Sequence, residues 1–148
     1  MKKKFLIPLM SAAALAGLAV AATPAEAATP SVNFSRIYVN SPGSDTRSNK
    51  SLNAEWVLLR NNTTKSIQLK GWTVRDKSAH VYTFGSFSLG SKKTVYVHTG
   101  KGTNTSANRY WGSGNYIWNN TGDTATLKNA SKSTIDTCSW KTVTATNC

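Results

Sequence analysis

Acidic residues are scarce in this chain. Six Asp and Glu stand against 18 Lys and Arg, a formal net charge of +12 over 148 residues, and there are only two histidines and two cysteines. A metal site needs several His, Cys, Asp or Glu converging on one point, and a nucleophilic triad needs a base held beside a nucleophile. The sequence has no HExxH, GxSxG, P-loop or CxxC pattern, so neither chemistry is signalled and no metal or cofactor is expected. The EF-hand pattern is missing too, which argues against Asp76, Asp123 and Asp136 as calcium ligands. Carboxylates in turns and at strand ends commonly accept backbone N–H bonds instead. His80 or His98 brought beside Asp76 or Asp123 would be the kernel of a small hydrolase or nuclease. A histidine hydrogen-bonded at a strand end accounts for the same residues, and the expectation is that the chain is not an enzyme.

What is present begins with a leader. Lys2-Lys3-Lys4 precedes a mostly apolar, alanine-rich run from Phe5 to Ala22, and Ala25-Glu26-Ala27 fits the small-x-small cleavage pattern of a secretory signal peptide. Pro8, Ser11 and Gly17 interrupt the run, which weakens a membrane-anchor reading. Residues 1–27 are therefore expected to be removed, giving a secreted protein, extracellular or associated with the cell envelope, with no membrane span. Of 148 residues, 27 are lost and 121 remain, residues 28–148, a single-domain length expected to be a monomer. Loss of Lys2, Lys3, Lys4 and Glu26 leaves 15 basic and 5 acidic residues, a net charge of +10. In an oxidising compartment, Cys138 and Cys148 are expected to form a disulfide closing a short C-terminal loop, worth about 2 to 3 kcal/mol by loop entropy.

The chain reads as short strands about ten residues apart, with turn formers between them and no amphipathic helix after the leader. Its centre is Asn53–Asp76, with strand-like runs at Glu55–Arg60 and Ile67–Arg75 and a tryptophan in each. Trp56 and Trp72 are natural core anchors, being large and apolar. Apolar parity changes between Ile67/Leu69 and Trp72/Val74, which predicts a bulge or bend at Lys70-Gly71. Tyr82 and Phe84 share a face, and Val95 and Val97 alternate inward against Tyr96 and His98.

Asn53-Ala-Glu55-Trp56-Val57, Asn61, and Gly71-Trp72-Thr73-Val74-Arg75-Asp76 resemble the signature of the lamin tail domain in its bacterial secreted form. Tyr82-Thr83-Phe84, Val95–Gly100, Trp118-Asn119-Asn120, Gly122–Leu127 and Ile135-Asp136 are similar to the family's later blocks, in the same order. The resemblance covers about Val32 to Cys138. It implies an all-β, immunoglobulin-like β-sandwich serving as a binding or structural module, with no family active site to carry over. The tail after Cys138 lies outside it.

Two surfaces are candidates for binding. Lys65, Lys70, Arg75, Lys77, Lys92, Lys93, Lys101 and Arg109 fall mainly at strand ends and turns, where they form one basic edge or lie scattered as solubilising charge. Gathered, they would draw an anionic polymer, nucleic acid or cell-envelope material, without base specificity. A protein partner is the other occupant considered for such a face. Tyr110, Trp111 and Tyr116, among glycines and asparagines, would make an aromatic platform for a carbohydrate-binding module, unless they pack as core. The expectation is a secreted, non-catalytic binding or structural module whose charge selects its partner.

Overall fold

The structure, a computed structural model, describes residues 27–148. The leader up to Glu26 lies outside the described residues. Eleven strands and one short helix follow in the order β1 (Val32–Tyr38), α1 (Asn49–Asn53), β2 (Trp56–Asn61), β3 (Ile67–Gln68), β4 (Thr73–Arg75), β5 (Val81–Thr83), β6 (Ser88–Leu89), β7 (Thr94–His98), β8 (Asn108–Tyr110), β9 (Gly122–Lys128), β10 (Thr134–Lys141) and β11 (Ala145–Asn147). A five-stranded sheet in the order β11-β1-β2-β7-β8 faces a four-stranded sheet in the order β10-β9-β4-β5, and β3 and β6 pair separately. This is the all-β sandwich that the strand spacing predicts, with the immunoglobulin-like form that the resemblance implies.

Period-two burial builds the core. Val57 and Leu59 of β2, Val95 and Val97 of β7, and Ala125 and Leu127 of β9 alternate inward and are at most 1% exposed, as a strand with one buried face requires. In β1 the parity breaks: Phe34 and Ile37, three apart, are both buried, and the pairing with β2 shifts between Phe34 and Arg36. A bulge there turns both side chains inward. The bend expected at Lys70-Gly71 is a change of sheet. Leu69 and Val74 are both buried, and Gly71 takes φ +78° between them. A side chain at Gly71 would also crowd Ala130, whose Cβ lies 3.3 Å from the position a Cβ would occupy.

Trp56 is not a core anchor. Its parity is opposite to that of Val57, so it lies half-buried on the outer face of the large sheet, against Tyr38 at 5.6 Å and Tyr96 at 5.0 Å between ring centroids. The buried tryptophans are Trp118 and Trp140, 5.9 Å apart edge to face, while Trp72 packs partly buried on the core's margin. The helical content after the leader is one turn, too short to be an amphipathic helix. Ser48 accepts from the Ser51 N–H and caps the single-turn helix α1.

The C-terminal tail completes the sandwich. β10 runs on to Lys141 and buries Trp140, β11 pairs with β1, and Cys138 and Cys148 form the disulfide. Asp136 accepts from the Phe34 N–H at 2.8 Å and ties the two sheets on the same side.

Candidate functional site

Strand direction sorts the charged residues into two ends. Asn61 closes β2 and Thr94 opens β7 at one end of the large sheet, Thr73 opens β4 and Lys128 closes β9 at one end of the smaller, and the Phe34–Asp136 bond puts these two ends together. The turns there carry Lys65, Lys70, Lys92 and Lys93 of the predicted basic set, all exposed. Arg60, Lys128 and Lys132 join them. Asn61, fully buried, organises the first pair of turns: its amide donates to the carbonyls of Lys65, Leu89 and Gly90, and its Oδ1 accepts from the Thr63 N–H and hydroxyl. The Asn61 N–H reaches the carbonyl of Lys93 at 3.0 Å. The Lys92 ammonium donates to the Asn62 carbonyl. Gly71 against Ala130 brings the Lys70 turn to the Lys132 turn. Lys92 and Lys132 sit at φ 58° and 65°, conformations in which glycine or asparagine is the usual occupant.

The other four predicted cations are elsewhere. Lys77 and Lys101 are exposed at the opposite end, where the Lys77 N–H donates to Asp123 and the Lys101 carbonyl accepts from the Asn49 and Asn53 amides. Arg75 lies half-buried in β4, on the outer face of the smaller sheet. Arg109 lies with its guanidinium 4.2 Å over the Phe87 ring, and its charge opposes the burial that pushes the Tyr82 phenol up. No lysine or arginine forms an ion pair among the described residues; the pair present is His80 with Asp76, 2.7 Å apart.

Three of the acids, Asp76, Asp123 and Glu55, lie at the end that the lysine turns leave. Asp76 and Asp123 are buried and accept backbone N–H bonds, from His80 in the first case and from Lys77, Asn119 and Thr124 in the second. Glu55, also fully buried, precedes β2. Its Oε1 accepts from the Thr99 hydroxyl at 2.6 Å and the Ile117 N–H at 2.8 Å, while Oε2 has no partner. Burial raises its pKa from 4.5 to about 7, opposed by the Thr99 hydroxyl and the backbone N–H groups of Ile117 and Trp118 and reinforced weakly by Asp45. Glu55 shares the parity of Val57 and Leu59, so inward-facing position was the signal that marks it, and Asn61, as buried polar groups.

The three aromatic candidates do not meet in one platform. Tyr110 stacks on His98 at 5.1 Å at the edge of the large sheet. Trp111 packs into the core's margin, 5.8 Å from Tyr82 and 5.9 Å from Trp118. Tyr116 stands apart, its hydroxyl 2.6 Å from that of Ser51. Neither histidine hydrogen-bonds a serine, threonine or cysteine among the described residues: His80 meets Asp76, and His98 bridges the Asn53 carbonyl and the Asn108 side chain.

The family model of the lamin tail domain matches residues 25–142. The chain belongs to the lamin tail domain family. Lamin tail domains are immunoglobulin-like and non-enzymatic, in keeping with a sandwich whose carboxylates mostly hold backbone N–H groups. Comparison with curated proteins returns no match. The match takes in every strand from β1 to β10 and ends before β11, so the disulfide's second cysteine and the last strand stand outside it.

Proposed function

We propose that this lamin tail domain is a secreted, non-catalytic module that binds an extracellular anionic polymer, nucleic acid or cell-envelope polyanion, through the end bearing Lys65, Lys70, Lys92, Lys93 and Lys132. One observation carries the reading: these exposed lysines crowd the turns of a single end, none of them has an acidic partner among the described residues, and Asp45, Glu55, Asp76 and Asp123 lie at the other. Asp136 is the acid nearest that end, and its carboxylate is engaged with the Phe34 N–H. Lys92 and Lys132 add support, since lysine holds left-handed turn positions where glycine fits with less strain. A diffuse cationic end of this kind recognises charge density and releases counterions, with no reading of base edges.

The test is an equilibrium titration of residues 28–148, disulfide intact, against labelled duplex DNA and against isolated anionic envelope polymer over a salt series. Saturable binding whose log affinity falls linearly with log salt is expected, each neutralised phosphate adding about 0.9 to the slope for duplex DNA. Absence of binding to either polymer at low salt would sink the reading and leave a protein partner as the occupant to pursue.

A further inference from the structure

The outer face of the five-stranded sheet carries a row of aromatic rings. Val57, Val95 and Val97 turn into the core, so Trp56, Tyr96 and His98 stand on the opposite side of the same strands. The registers set Tyr38, Trp56, His98 and Tyr110 side by side across β1, β2, β7 and β8, a span of three strand spacings, about 14 Å. Ring centroids lie 5.6 Å apart between Tyr38 and Trp56 and 5.1 Å apart between His98 and Tyr110. Tyr96 joins the row 5.0 Å from Trp56 and 5.7 Å from His98. All five side chains are partly exposed. His98 is held in place, its ring nitrogens bonded to the Asn53 carbonyl and the Asn108 side chain. Beyond Tyr38 the next residue in the row is Ala145 of β11, whose methyl is too small to cover a ring.

Cross-strand aromatic pairs strengthen any sheet, but the charges around this row point to a ligand. Among the acidic and basic residues of the five strands, Arg36 and Arg60 share its face, both exposed and neither in an ion pair among the described residues. Aromatic rings with arginine, and no lysine or carboxylate, make the composition of a binding surface rather than of solvated sheet. Its ligand has to meet rings and cations together. A neutral polysaccharide would use the rings and leave the guanidinium groups idle, and duplex DNA would engage the guanidinium groups while its bases stay stacked inside. A single strand uses both, because its unpaired bases have faces to stack and its phosphates carry charge. We propose that this face binds single-stranded nucleic acid, bases against the row from Tyr38 to Tyr110 and phosphates at Arg36 and Arg60. It is separate from the lysine turns except at Arg60, and it stands whether or not those turns bind a polymer.

The probe is a fluorescein-labelled oligothymidylate of about 12 nucleotides, followed by anisotropy against residues 28–148 with the disulfide intact. A duplex of the same length and inorganic polyphosphate, which has charge and no bases, are the comparisons. In salt high enough to suppress polyphosphate binding, the single strand should still bind saturably and at least tenfold tighter than the duplex. Trp56→Leu removes the central ring and keeps apolar cover on the sheet. It should weaken the single strand at least tenfold, with polyphosphate binding at low salt within twofold of the wild type. Should that variant fail to fold, Tyr38→Leu at the row's open end should weaken the single strand severalfold. Arg36→Gln should lower the salt slope for the single strand by about 0.7. Equal affinity for single strand, duplex and polyphosphate, or a folded Trp56→Leu variant as tight as the wild type, would overturn the proposal and leave the lysine end untouched. Displacement of the oligonucleotide by cellohexaose would overturn it too and assign the face to neutral sugars. Single-strand binding retained where polyphosphate fails to bind even at low salt would support this face and count against the lysine end alone.

Discussion

A buried polar residue stands at each end of β2, and the fold treats the two differently. Asn61, at the lysine end, spends both sides of its amide: three carbonyls around its NH₂ and two donors on its oxygen. Glu55, six residues earlier at the other end, has one oxygen engaged and one without a partner. The first is a structural peg that fixes turns so that exposed lysines are held outward. The second is half a peg: Oε1 anchors the Thr99 and Ile117 segments, and Oε2 has no partner among the described residues. Asn61 is thus saturated and Glu55 is not, so the two should respond differently to substitution and to pH.

Asn61→Ala should sharpen that contrast most. Removing the amide leaves the carbonyls of Lys65, Leu89 and Gly90 without their shared donor inside the turn, and a loss of about 3 kcal/mol or more is expected. Urea unfolding measures it. A loss below about 1 kcal/mol would mean that water replaces the amide and that Asn61 is no peg.

Glu55 should announce itself through pH. Its native pKa of about 7 lies above its ordinary 4.5, so the folded chain holds this proton more tightly than the unfolded one. The stabilisation is full below about pH 4.5 and is lost as pH rises through about 7, amounting to about 3 kcal/mol. Asp45 is the acid facing it across a cavity of about 160 Å³ that both residues line. The stability of the wild type minus that of Glu55→Gln should therefore fall by that amount between pH 4 and pH 8, measured by denaturant titration at each pH. A flat difference would show that Glu55 is ionised throughout at little cost.

How much of this was written in the residues depends on period and parity. The alternation in Thr94–His98 and the block order from Asn53 to Asp136 foretold the sandwich, and the two cysteines foretold their bond. Trp56 misled because size argued for burial while its parity, opposite to Val57, placed it outside. The lysines were legible as cations in turns, but which turns share an end follows from strand order, a long-range property that local sequence does not carry. Arg109 shows the same gap: in β8 it pairs beside inward-facing Val97 and is drawn over Phe87 by the parallel β7–β8 register, a pairing no local signal announces. The cavity at Glu55 needs four separated segments to meet, and only the inward parity of Glu55 hinted at it.

Charge reversal tests the lysine end against its opposite. Lys65→Glu with Lys93→Glu should weaken polyanion binding at least tenfold, about 1.4 kcal/mol, and flatten the salt slope. Lys77→Glu with Lys101→Glu, the same change of charge at the other end, should alter affinity less than threefold in the same salt series. Equal losses would mean that net charge alone attracts the polymer and that the two ends do not differ in this respect.

The smallest expected effect separates charge from fold at one residue. Lys132 turns the β9–β10 connection at φ 65°, with its N–H on the Asn129 carbonyl at 2.9 Å. Lys132→Gly removes a side chain from a conformation that suits glycine better, offset by the greater freedom of glycine in the unfolded chain, so stability should stay level or rise by up to about 1 kcal/mol. Affinity for the polyanion should fall severalfold, with the salt slope lower by about one contact. Thermal unfolding and the salt titration on one preparation read both quantities. A variant more stable and equally tight would show that Lys132 has no part in binding and that the lysine end is narrower, confined to the turns that Asn61 holds.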